Sequence, residues 1–149
     1  MRKLLLILLL LQAVPAATPH EHLMKRISRP FPETMNALQE TIRANGYTVS
    51  RVQRVDVGLT ASGFKTAEYR IVFLGKPEEI KQLSARYPAL IPYLPFQIVI
   101  FAEGEDTILL AMDPRRLGDH YRQPELAAHF ERGARDLQAI ITQVVRQGS

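Results

Sequence analysis

The chain has 149 residues, and among them there is no cysteine and no tryptophan. Without a thiol it forms no disulfide framework, no thiolate zinc site, no iron–sulfur cluster and no covalent haem linkage, and it has no thiol nucleophile. The Gly-x-Ser-x-Gly, His-Glu-x-x-His and phosphate-loop motifs are missing too. The acids that stand closest together, Glu103, Glu105 and Asp106, fall in a turn. They lack the apolar shelter that raises a catalytic carboxyl pKa. The sequence therefore assigns no catalytic residue, no metal ligand and no cofactor. Internal repeats and low-complexity tracts are also absent, and the length fits one domain.

The longest apolar run is short. Leu4 to Leu11 follows Met1-Arg2-Lys3 and precedes Gln12-Ala13-Val14-Pro15-Ala16-Ala17. A positive start, an aliphatic stretch and small residues in this order read as a secretory signal peptide, residues 1–17, cut after Ala16 or Ala17. A membrane span takes about 20 apolar residues, so no stable membrane anchor is expected once the leader is gone. The product is exported, periplasmic or secreted. Loss of Arg2 and Lys3 lowers the formal charge from +4 to +2, too little to indicate nucleic acid as a partner. An exported chain without disulfides is held together by its core, which about 130 residues can supply.

Residues 18–22 form a flexible lead-in to a single domain, residues 23–149. Leu23 to Ser28 reads as a first strand. Pro32 suits the first turn of a helix, Met35, Leu38 and Ile42 recur at helical spacing with Phe31 one turn earlier, and Asn45-Gly46 closes it. Tyr47 to Val57 is rich in β-branched residues and reads as a strand with a bulge at Arg51-Val52. Gly58 to Lys65 is a loop and Ala67 to Leu74 a strand. Pro77 opens a helix to Tyr87. Three prolines make Pro88 to Pro95 irregular. Phe96 to Ala102, nearly all apolar, predicts a central strand buried on both faces. Thr107 to Met112 pairs back across the acidic turn. A polar connector, Arg115 to Gln123, leads to a last helix from Pro124 to Arg146, striped by Leu126, Phe130, Leu137, Ile141 and Val144. The order β-α-β-β-α-β-β-α predicts an α+β fold, a single layer of mainly antiparallel sheet with helices on one face.

Several of these elements, taken in order, resemble a bacterial family known as domain of unknown function 302. The carriers are the helix before Asn45-Gly46-Tyr47, the strand closing at Leu74-Gly75, the Pro77-Glu78 helix, Leu90-Ile91-Pro92-Tyr93-Leu94-Pro95-Phe96, the strand Ile98 to Phe101, and Met112-Asp113-Pro114. The resemblance spans Phe31 to Pro114. It implies a small α+β fold, often a dimer, with no established activity. Many members carry Cys after the proline that matches Pro95. Phe96 stands there in this chain, so no thiol chemistry operates.

Two segments stand out from an ordinary core. Tyr93 and Phe96, set among prolines, can form a rigid apolar lip for a ligand or a dimer seam. Arg115, Arg116 and His120 lie between a strand end and a helix start, where guanidinium forks and a helix N-terminus suit an anion. The plainer reading of that connector pairs its arginines with Asp113 and Asp119. The expected function is a non-catalytic binding domain for a small anionic or apolar ligand, acting as a homodimer. The alternative is an enzyme that uses His120 with Asp113 or Asp119 as a proton-transfer pair. A metal or haem protein using His20-x-His22, His129 or Met112 is the remaining alternative. In the last helix, Glu131/Arg135 and Arg132/Asp136 are spaced as i,i+4 ion pairs. N-terminal sequencing of the protein made in its own host is expected to begin at Ala17 or Thr18; a start at Met1 contradicts export.

Overall fold

The computed structural model describes residues 22–148, so the leader, its cleavage sites and His20 lie outside the described residues. The first strand, β1, is His22–Ile27, one residue earlier than the sequence pattern suggests. Helix α1 is Phe31–Ala44. Pro32 sits in its first turn, where no N–H is needed, and Gly46 with φ +77° closes it. Strand β2, Thr48–Arg54, pairs with β3, Tyr69–Gly75. Their register slips between Val49 and Arg51, slightly ahead of the expected bulge.

Val55 and Val57, read from composition as strand, belong instead to a short helix, α2, Val55–Ala61. The reason is tertiary. Asp56, in the first turn of α2, forms a largely buried ion pair with Arg70 of β3, and the Arg70 guanidinium lies 5.4 Å from the centre of the Phe31 ring. That anchorage overrides a β preference that depends on context in any case. Burial works to raise the Asp56 carboxyl, but the Arg70 hydrogen bond and charge outweigh it and hold the group below its ordinary value.

Helix α3 is Pro77–Arg86. The following Pro88–Tyr93 segment forms a 3₁₀ turn rather than irregular chain, because proline fixes φ in the range that such a turn requires. Strand β4, Phe96–Glu103, and strand β5, Asp106–Met112, form a hairpin through Gly104. The connector holds a second 3₁₀ turn, Pro114–Asp119, before helix α4, Pro124–Gln147. Among the described residues no helix is long and apolar enough to cross a membrane.

All neighbouring strands are antiparallel, in the order β1-β5-β4-β3-β2. Val72, Leu74, Ile98, Ile100, Leu109 and Ala111 point to the inner face and join Leu38 and Ile42 of α1 with Leu137, Ile140, Ile141 and Val144 of α4 in one core. A second cluster, Leu83, Leu90, Leu117, Leu126 and Phe130, binds α3 and both 3₁₀ turns to α4. The fold is thus α+β with its main helices on one side.

Strand β4 is not buried on both faces. Ile98 and Ile100 are fully buried, whereas Val99 and Phe101 are half-buried and Gln97 is exposed. The apolar run reflects a sheet whose outer face is hydrophobic and, among the described residues, only partly covered.

The Phe96 ring seats β4 on α4. A Cβ added at Gly133 would come 2.4 Å from it. Gly133→Ala is therefore expected to lower stability by up to about 2 kcal/mol, because overpacking costs roughly 1–3 kcal/mol against the ~1 kcal/mol gained in helix propensity. In a Phe96→Ala background the same change is expected to be stabilising. Thermal melts of the four variants check the reversal of sign.

Candidate functional site

The two segments singled out in the sequence meet. Pro92, Tyr93 and Phe96 on one side and Pro114 and Leu117 on the other line a cleft of about 320 Å³. Local contacts hold the two turns together. The Tyr121 hydroxyl donates to the Ala89 carbonyl at 2.7 Å, and the Tyr93 and Tyr121 rings meet edge to face at 6.2 Å. The remaining lining is mostly apolar and includes Met112 and Leu137; among the described residues it holds no carboxylate.

Val99 and Leu110 also line a second, shallower cleft of about 430 Å³, with Tyr69 and Phe101. The two clefts therefore share a wall, Val99 and Leu110, on the outer sheet face. The register sets Leu110 beside Val99, and Val99 beside Ile71. Pleating sends all three to the same side.

Of the residues named from sequence, Tyr93 and Phe96 line the first cleft, while Arg115, Arg116 and His120 do not. Arg115 is committed locally. Its backbone N–H donates to Asp113 Oδ1 at 3.0 Å, and its guanidinium grips both carboxylate oxygens, with Nη2 to Oδ2 at 2.5 Å. Asp113 is 2% exposed and caps the 3₁₀ turn. Arg116 and His120 are exposed. The proton-transfer pair of His120 with Asp113 or Asp119 is not assembled, because His120 and Asp119 both face solvent and Asp113 holds Arg115.

A buried polar cluster escaped the sequence reading. His129 of α4 is only 5% exposed. Its ring stacks on Phe96 at 5.3 Å and 16°. Its Nδ1 lies 3.3 Å from Glu79 Oε1 and 3.2 Å from Arg132 Nη2, and Arg132 also donates to Glu79. His129 Nε2 is buried without a hydrogen-bond partner. Arg132 thus turns to α3 rather than forming the expected pair with Asp136, which accepts from the Tyr47 hydroxyl at 2.5 Å. Burial first, then that hydrogen bond, push the Tyr47 phenol up. Glu79, His129 and Arg132 line a groove of about 530 Å³ closed at its far end by an Arg86–Glu125 ion pair of 2.6 Å. The only sequence signal was a histidine beside the apolar stripe of α4. Met112 is exposed at the end of β5 and lines the first cleft, whereas His129 is buried against Phe96.

Burial lowers the pKa of His129 and the Arg132 charge adds to the effect, while Glu79 opposes them. As the pH falls through the ordinary imidazole value of 6.5, the unfolded chain takes up its proton first. The contribution to stability is full above that value and is lost between it and the lower folded value. Melting temperature is expected to drop on acidification below about pH 6.5 and to drop less in a His129→Gln variant. Equal slopes in the two proteins, measured by pH-dependent thermal melts, contradict this.

The comparisons with known proteins agree with this architecture. The sequence profile of the domain of unknown function DUF302 matches residues 24–145. The crystal structure of an uncharacterised conserved DUF302 protein from Bacillus stearothermophilus superposes with a TM-score of 0.73 at 20% identity, covering 83% of this chain and 97% of that one. No curated protein matches the chain. A profile match over most of the sequence, joined to the shared fold, means that the chain belongs to the DUF302 family.

Proposed function

We propose that this protein is an exported, non-catalytic binding domain that seats a small apolar molecule in the cleft between the Pro88–Tyr93 and Pro114–Asp119 turns. One observation carries the reading: two turns that are remote in sequence converge on a mostly apolar concavity. Ligand sites are commonly clefts of about 300 Å³ or more with few polar groups, and this cleft is about 320 Å³. The exposed Arg116 lies next to Leu117 of the lining and offers a free guanidinium fork to an anionic group on the ligand. His120 stands on the same turn. Export rests on the tripartite leader described above.

The probe for this reading is anilinonaphthalenesulfonate, an apolar fluorophore that carries one sulfonate. Bound probe is expected to show enhanced, blue-shifted emission. Tyr93→Asp places a charge in the wall and is expected to weaken binding at least tenfold, and Arg116→Ala to weaken it by less. Emission that Tyr93→Asp leaves unchanged puts the probe elsewhere and contradicts the proposal.

A further inference from the structure

Val99 and Leu110, which both clefts share, are paired neighbours on β4 and β5. On the same strand β4, Phe96 lines the first cleft and Ala102 lines the second. A strand advances ~3.4 Å per residue, so the joint lining is about 20 Å long. A compact molecule fills one cleft and leaves the other to water. An elongated one buries hydrocarbon along both.

We propose that the ligand is a single long alkyl chain ending in a carboxylate. The carboxylate sits at the first cleft, and the chain runs over Val99 and Leu110 into the second. This rests on the cleft reading above and names its ligand class. Three observations support it. The first is length. Carbon–carbon bonds of ~1.5 Å in a zigzag advance about 1.25 Å each, so about 16 carbons span the lining. The second is the chemistry of the wall. Strands β4 and β5 lie inside the sheet, with a neighbour on each side, so their backbone N–H and C=O groups are already paired. An extended peptide laid on this face would leave its own backbone groups without partners, which is costly. An alkyl chain brings no such groups, and Tyr69, Phe101 and Ala67 give its far end an apolar wall. The third is charge. The exposed Arg116 adjoins Leu117 of the first cleft, and a guanidinium fork matches a carboxylate. The second cleft has Glu68 in its lining, and Lys65 stands beside its Thr66. That end therefore offers an anion no net attraction, which sets the direction of the chain.

Isothermal titration calorimetry with saturated alkanoates, kept below their micellar concentrations, tests the proposal. Affinity is expected to rise from octanoate to hexadecanoate by about twofold per methylene, half of what full burial gives because one side of the chain faces water. It is expected to level off beyond about 16 carbons. Dodecyltrimethylammonium, with the opposite charge, is expected to bind at least fivefold more weakly than dodecanoate. Ala67→Glu, an exposed position in the second cleft, is expected to weaken hexadecanoate at least tenfold while leaving octanoate and the fluorophore unchanged. Thr66→Glu, exposed in the same wall, is expected to do the same, and retained octanoate binding shows that both variants are folded. An affinity that stops rising near octanoate, a cation that binds as well as the carboxylate, or hexadecanoate binding that ignores both variants overturns the inference. In each of those cases, fluorophore binding that Tyr93→Asp abolishes keeps the cleft reading. If neither the alkanoates nor the fluorophore bind, both fail.

Discussion

Pleating sends alternate residues of a strand to opposite faces, and α1 and α4 cover only one of them. Strands β4 and β5 sit in the middle of the sheet and carry apolar side chains on both sides. On the inner side Ile98, Ile100, Leu109 and Ala111 are buried in the helical core. On the outer side Val99, Phe101 and Leu110 face a trough. A lone sheet that leaves this much hydrocarbon in water carries an unfavourable term proportional to area, on the order of 25 cal/mol per Å².

The polar cluster at α4 links the core to the cleft. One turn of that helix presents His129, which stacks on Phe96, and Gly133, which leaves room for the same ring. Glu79 ties His129 and Arg132 to α3, and Leu83 and Leu90 bury the far side of that segment. The chain then runs from α3 through the 3₁₀ turn and the Leu94–Pro95 cis peptide into Phe96. The position of Tyr93 at the cleft therefore depends on how firmly α3 is held to α4.

Much of this was legible in the order and period of the residues. Helical spacing at Leu38 and Ile42, proline at helix starts and the Gly46 and Gly104 turns report local rules, and the elements they predict are there. The misreadings share a cause in distant contacts. Val55 and Val57 favour a strand until Asp56 finds Arg70, and Arg132 fits Asp136 by spacing until Glu79 arrives from α3. Strand β4 reads as doubly buried because an apolar run does not say whether a helix or open space lies over each face. At the site, prolines around Tyr93 and Phe96 mark a rigid lip locally. The Glu79–His129 contact joins residues 50 positions apart and leaves no local trace.

The central claim is that the cleft between the Pro88–Tyr93 and Pro114–Asp119 turns is the place where a small apolar molecule sits. Two-dimensional NMR of the labelled protein during titration with anilinonaphthalenesulfonate tests it most directly. Shift changes are predicted to concentrate at Tyr93, Phe96, Met112 and Leu117, the cleft lining, and to leave the exposed side of α4 unmoved. Changes confined to other surfaces, or none at all, contradict the account.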